Sequence, residues 1–415
     1  MDNLSHMVAG LAAGELLHRV LPREGDPERH ATRRRLLLFS CAAGNTVPDL
    51  DLVLTQLLPA PLGYLLHHRG HTHTLLYAIP QAIVLLLATL IAWPSARRLV
   101  GASQPARYGA LIAVATGFLL HLSMDFLNSY GIHPFYPFDA RWFYGDMVYI
   151  IEPVFWVAFG VPLAMMVRSV TLRLVLFALP CLALAYFTVR GFMLPASLAA
   201  LVALGAGVAF AQHRSGPAGK GALAGIFILM LVFVALQGAT SSFGRSVVTQ
   251  ELHRAQPADR VVDVAMSSFP ANPLCWSWVS VQANEAAGTF TVRRGVAGLF
   301  PSLLGAAQCP PALMARGGAA DDSAASHGEA VMVLNSREGS LPALRRMHRA
   351  DCHLRAWLRF VRAPALGAAA GWDMRYGAGP DGNFSTIYFR DFSGQPCPQG
   401  VPEWGFPRAD LLLPQ

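Results

Sequence analysis

Charge is scarce in this chain of 415 residues. Asp, Glu, Lys and Arg make up only 14% of it, against 53% hydrophobic residues and a mean hydropathy of +0.39. That balance excludes an ordinary soluble composition. The stretches 74–94, 108–124, 153–167, 174–189, 191–213 and 221–244 contain none of the four charged types. Each approaches or exceeds the roughly 20 apolar residues that cross a bilayer. The first residues lack a basic region and a small-residue cleavage pattern, so the first helix is expected to remain in the mature protein rather than leave as a signal peptide. The net charge of +7 is carried mostly by Arg and forms no single basic stripe, so no nucleic-acid partner is expected.

The apolar runs stop beyond Arg245, where polar residues become frequent. The sequence therefore predicts an α-helical polytopic membrane bundle of about six to eight helices over residues 1–245. A small, mainly β (α+β) extramembrane domain follows over 246–415. Arginines collect in alternate loops: 19–35, 95–107, 168–173 and 212–220 are rich, whereas 128–146 and the turn at Arg190 are poor. By the positive-inside rule the rich loops are cytoplasmic. The expected location is the inner membrane, multi-pass, with the C-terminal domain in the periplasm. Cys41 and Cys181 fall in apolar helices. Cys275, Cys309, Cys352 and Cys397 fall in the tail, where an oxidising compartment allows two disulfides in three pairings; four buried thiols are the alternative.

What the first 150 residues do hold is a series of histidines and aspartates beside apolar runs, where uncompensated polar groups are costly. His121 and Asp125 lie four apart, on one face of a helix, and either share a metal or form a structural hydrogen bond. His68-Arg69-Gly70-His71-Thr72-His73 precedes an apolar helix; a snorkelling polar turn does not account for so many imidazoles. His67 and His71 read as bystanders. Asp49 and Asp51 follow Pro48, which ends or bends a helix; they grip a cation or cap the next helix. His6, Asp146 and Glu152 gain weight only by joining the set. With the arginine topology, all these groups reach one membrane face. The aromatic loop from Tyr130 to Tyr144 reads first as an interfacial belt, and alternatively as the roof of a substrate cleft.

These residues resemble the LexA-regulated, membrane-bound metal-dependent hydrolase family, also called YdjM-like, over residues 1–165. The resemblance is carried by Ser5-His6, Pro48-Asp49-Leu50-Asp51, His68-Arg69-Gly70-x-Thr72-His73 and His121-x-x-x-Asp125-x-x-Asn128-x-Tyr130-Gly131. It continues through Pro137-Phe138, Asp146 and Ile151-Glu152-Pro153. Ser5, Thr74 and Glu152 stand where Thr, Ser and Asp are common. In the tail, Phe269-Pro270-x-Asn272-Pro273-x-x-Trp276 and Trp372-Asp373-x-Arg375-Tyr376 are similar to the soluble part of longer members. A fold-level analogy, from the 17-residue spacing of Asp51 and His68 together with His-x-x-x-Asp, runs to helical zinc-dependent phospholipases C and nucleases. It implies Asp51, His68, His121 and Asp125 as core ligands.

The expected function is a metal-dependent hydrolase acting on an ester or phosphoester of a lipid or lipid-linked substrate. The expected cofactor is a divalent metal, zinc by its ligand chemistry. The expected ligands are His6, Asp51, His68, His73, His121, Asp125 and Asp146. Asp49 is expected as general base and Arg69 as a stabiliser of negative charge. Membrane lipids are the expected partners. A transporter or proton or metal relay, and a non-catalytic scaffold with a structural metal, stay open as alternatives. In the tail, strands are expected over 260–266, 276–283, 289–293, 330–334, 353–361 and 384–389, a helix over 339–349 and a loop over 311–328.

Overall fold

The computed structural model describes residues 1–216, 219–314 and 326–413. The N-terminal part is built of helices whose starts are written in the sequence. Asp2 caps α1 (Asn3–Val20), accepting from Ser5 N; Asp26, followed by Pro27, caps α2 (Pro27–Gly44). After α2 the chain bends by 52° at Asn45–Thr46 and resumes as a 3-10 turn, Val47–Leu50, and α3 (Asp51–Thr55). Pro48, at the start of that turn, cannot continue the α-helical ladder. The bend places Asp49 and Asp51 in the interior instead of on a lipid-facing helix. The short α4 (Leu62–His67) leads into the histidine loop, and α5 (Leu75–Ala92) starts from the Thr74 cap. Then come α6 (Pro94–Ala102), α7 (Gln104–Phe126), α8 (Pro153–Met165), α9 (Val170–Val189), α10 (Pro195–Ser215) and α11 (Gly221–Ala255).

Among the described residues, α5, α7, α9, α10 and α11 are long and apolar enough to cross a membrane. The bent pair of α2 and Val47–Thr55 makes a sixth span if counted as one. Five or six spans lie at or just below the low end of the expected range, for two reasons. Glu15, His18 and Arg19 interrupt α1, and α8 has only 13 residues. The long run of α5 is 11% buried and that of α9 is 6% buried, so these two helices present their apolar sides outward, as lipid contact requires. α1, α2 and α7 form the centre. Glycines let their backbones touch: a Cβ at Gly117 of α7 would lie 2.5 Å from Cys41 O, and one at Gly14 of α1 would lie 2.7 Å from Leu37 O. Small residues at such crossings are the usual device for close packing in membranes. The arginine-rich turns meet at one end of the bundle. Arg19 donates to Gly219 O, Arg33 pairs with Glu24 at 3.1 Å, and Ser103 reaches the same carboxylate at 2.8 Å.

α11 does not stop at the expected domain boundary. It runs on to Ala255 and packs Val248 and Leu252 against the first strands of the tail. The tail holds an antiparallel sheet in the order β1-β2-β3-β5-β4: β1 (Arg260–Phe269), β2 (Asn272–Asn284), β3 (Thr289–Gly298), β4 (Ser326–His327) and β5 (Val331–Ser340). The short α12 (Pro311–Met314) precedes β4; residues 315–325 of the expected loop lie outside the described residues. The expected helix at 339–349 is α13 (Leu341–Ala350), capped by Ser340. The expected strand at 353–361 is instead helical, α14 (Cys352–Leu358), because Asp351 caps His353 N and Leu354 N. A second sheet is formed by β6 (Pro364–Leu366), β7 (Ala370–Asp373) and β8 (Ile387–Tyr388). Only the last of these falls in the run expected at 384–389. The tail cysteines pair as Cys275–Cys309 and Cys352–Cys397.

One core unites tail and bundle. Leu65 and Leu66 of α4 and Tyr130 and Trp142 of the aromatic loop pack with Trp357, Phe360 and Trp404. Trp142 Nε1 donates to Arg359 O at 2.6 Å, and Trp404 Nε1 to Leu66 O at 2.8 Å. The loop expected as an interfacial belt is thus largely a docking surface for the tail. Its inner rings are covered by protein rather than lipid, because indole and phenol rings bury most area where both an apolar body and a carbonyl acceptor are at hand.

Candidate metal centre

Four elements converge where the tail covers the bundle. The bend after α2 brings Asp49 and Asp51, the loop after α4 brings His68 and His73, the end of α7 brings His121 and Asp125, and α1 brings His6. Arg69 turns the loop with φ of +56°, an uncommon backbone state for a residue with a side chain. All seven groups are buried. Asp49, His73, His121 and Asp125 each offer a ligand atom within 4.8 Å of the other three, and Asp49, Asp51 and His68 form a second such group. Asp49 belongs to both.

The hydrogen bonds fix which atoms face inward. His121 Nδ1 lies 2.9 Å from Asn45 O; a carbonyl only accepts, so the ring donates there and Nε2 keeps its lone pair. Thr72 Oγ1 donates to Asp51 Oδ2 at 2.6 Å and lies 2.9 Å from His73 Nδ1. Its hydroxyl proton is spent, so His73 donates from Nδ1 and presents Nε2. The two Nε2 atoms are 3.0 Å apart. Asp125 Oδ2 stands 3.1 Å from His73 Nε2 and 3.4 Å from His121 Nε2. Neither Asp125 Oδ2 nor Asp49 Oδ1 receives an aligned hydrogen bond from the described residues, although both are buried. Burial opposes a charge on His73, but the carboxylates of Asp125, Asp49 and Asp51 outweigh it and carry its pKa up to about 10. Burial lowers the pKa of His68 in spite of Asp51. The cluster attracts positive charge, and its unmatched oxygens and convergent imidazoles fit a divalent cation.

Around these atoms lie residues whose bonds are already used. Asp51 accepts from Thr72, from Arg69 N at 3.2 Å and from His68 Nδ1 at 2.9 Å. His6 stacks on His121 with centroids 4.3 Å apart and lies 3.3 Å from Asp125 Oδ1. Arg69 Nη2 meets Asp125 Oδ1 at 2.7 Å, Nη1 donates to Asn128 Oδ1 at 3.0 Å, and the guanidinium sits 4.9 Å over the Tyr130 ring. The Met1 amino group also contacts Asp125.

Asp146 is not brought to this cluster. Its oxygens bind Arg362 at 2.8 and 2.9 Å and Arg245 at 2.8 Å. It stands in neither ligand group among the described residues, because two arginines, one from the tail, reach it first. Glu152 is elsewhere too, capping α8 and accepting from Ala271 N at 3.0 Å. His67 and His71 also stand outside both groups; His71 packs on Trp404 and Tyr136. Asn45, Thr72, Asn128 and Tyr130, which orient the cluster, were not among the site residues expected from sequence. Thr72, Asn128 and Tyr130 stand in the motifs that carry the family resemblance, and the signal for Asn45 was its position four residues before Asp49.

Fold and cluster together define a polytopic helical membrane protein with a buried His/Asp site compatible with metal binding. The family model described as YdjM inner membrane protein matches residues 1–197, and over that stretch the chain is similar to the YdjM family. The match contains every element of the cluster. No curated protein and no solved structure matches the chain.

Proposed function

We propose that the chain is an inner-membrane, metal-dependent hydrolase that cleaves an ester or phosphoester of a lipid or lipid-linked substrate. The observation that carries this reading is the pair of buried carboxylate oxygens, Asp49 Oδ1 and Asp125 Oδ2, that face two imidazole Nε2 atoms without an aligned donor. A divalent metal, zinc by its donor set, supplies Lewis-acid polarisation and an acidified water when bound.

His73, His121 and Asp125 would hold the ion, their ligand atoms lying within 4.8 Å of one another. Asp49, beside them and free of an aligned donor, takes the proton that water gives up. Arg69 fixes Asp125 and sets positive charge beside the forming oxyanion. Asp51, through Thr72 and His68, and His6, by its stack on His121, keep the imidazoles aimed. The expected roles of Asp51, His68 and His6 thereby become orienting ones. The tail disulfides and the gathering of arginine-rich turns at one end of the bundle support a periplasmic tail and site.

The test is metal analysis of full-length protein in detergent, joined to assays on phosphodiester and lipid-ester substrates. His121→Ala is expected to lose both metal and turnover. Asp49→Asn is expected to keep metal and lose turnover by a factor of about 10²–10⁴. Metal without turnover on a broad substrate panel would favour the scaffold, and metal flux into liposomes would favour a transporter.

A further inference from the structure

A cavity of about 350 Å³ lies between the bundle and the tail, beside the His/Asp cluster. Its size sits at the lower end of the roughly 300–1,000 Å³ range of small-molecule sites. It shares a wall with the cluster. Tyr64 stacks on His68 at 5.1 Å, Tyr130 meets the same imidazole edge-on at 5.5 Å, and Asn128 holds Arg69.

The rest of the lining comes largely from the tail and is of two kinds. Aromatic faces gather near the mouth: Phe384, 44% exposed, lies 4.4 Å from Tyr376, 5.5 Å from Tyr64 and 6.4 Å, nearly parallel, from Tyr130. Hydroxyls line the wall of β1 and β2, from Ser267, Ser268 and Ser277. Ser268 is 1% exposed, and its Oγ has no hydrogen-bond partner among the described residues; the same is true of Tyr376 Oη. Buried hydroxyls left unpaired are costly and signal a missing partner. Charge does not dominate the lining. Arg375 is already held by Asp373 at 2.8 Å, and the remaining charged side chains, Arg294 and Asp381, have opposite signs.

Aromatic faces set against unpaired hydroxyls suit a ligand with an apolar ring face and a rim of hydroxyls. They do not suit a bare phosphate or an acyl chain. We infer that this cavity binds a neutral polyhydroxylated ring, of sugar or cyclic polyol type, and that the tail serves to recognise it. Resting on the hydrolase reading, the inference makes the substrate a lipid with a sugar-like headgroup, its labile bond toward His68 and Asp49. The same ring chemistry is offered by a free sugar.

The experiment measures binding by native mass spectrometry, with full-length protein in an amine-oxide detergent that carries no sugar. The probes are monoglucosyl diacylglycerol, diacylglycerol with the same chains, and free glucose. The glucosyl lipid is expected to bind about tenfold tighter than diacylglycerol, the equivalent of one or two recovered hydrogen bonds. Phe384→Ala, at the exposed rim, and Ser268→Ala are each expected to remove most of that preference. His121→Ala is expected to keep it, so the result is separable from whether metal or turnover is found. Competition by glucose as strong as by the glucosyl lipid assigns the cavity to a soluble sugar, and competition by the lipid alone assigns it to a headgroup. Equal binding of both lipids, or a preference that survives both cavity variants, overturns the inference.

Discussion

Replacing Asp146 by Asn separates the two roles that sequence and structure give this residue. In the structure its carboxylate is the shared acceptor for Arg362 of the tail and Arg245 of α11. Arg362 in turn spans to Asp263 of β1, with bonds of 2.7 and 3.1 Å, and lies 4.1 Å over the Tyr144 ring. Arg362 is 6% exposed at its side chain and Asp146 is fully enclosed. The paired carboxylates raise the pKa of Arg362 against its burial, and Arg362 lowers that of Asp263. Stripping one partner from a buried ion pair costs roughly 3–5 kcal/mol. Asp263 still opposes Arg362 after the change, so a loss at the lower end, about 3 kcal/mol, is expected. The assay is denaturant unfolding of the detergent-solubilised chain, followed by tail tryptophan fluorescence, with metal content measured in parallel. Combining Asp146→Asn with Arg362→Met is expected to cost less than the sum of the single changes, because both remove one interaction. Stability unchanged and metal lost in Asp146→Asn would refute the reasoning and return Asp146 to the ligand set expected from sequence.

Two further outcomes follow from other sites. Burial raises the Glu152 carboxyl from 4.5 to about 8, against the backbone donors Val154 N and Ala271 N. The folded state therefore binds a proton that the unfolded state releases above pH 4.5. Stability should be intact below that pH and fall by about 1.4 kcal/mol per unit until about pH 8. Glu152→Gln should flatten this slope between pH 5 and 8, and equal slopes in both proteins would show the carboxyl to be solvated. Gly117→Ala places a methyl 2.5 Å from Cys41 O and 2.9 Å from Gly44 Cα. It should cost about 1–3 kcal/mol as overpacking and lower bound metal, since His121 lies one turn further along α7. Normal stability and metal content would mean that the crossing of α2 and α7 has slack.

The helical part was legible because its signals are local. Uncharged runs marked the helices, and Pro48 marked the bend. The histidines and aspartates of the first 150 residues were readable as candidates because polar groups in apolar surroundings require a shared purpose; the grouping of Asp49, His73, His121 and Asp125 came from the fold. Asp146 misled for the same reason. It is polar, near the right face and in a family motif, but its partner Arg362 lies 216 residues away in sequence, beyond any local pattern. The 353–361 segment misled because its apolar and polar alternation suits a strand, whereas the Asp351 cap and packing against α4 and α13 settle it as a helix.

Sequence alone determined that the chain lives in a membrane, where its helices run, and which side chains have chemistry to offer, since hydropathy and capping act over a few residues. Tertiary structure decided which imidazole nitrogen faces inward, which carboxylates lack a partner, and that the tail closes over the site. Those outcomes depend on contacts between residues far apart in the chain, and burial makes each of them all-or-none: a polar atom shut away from water either finds its partner in the fold or waits for a ligand.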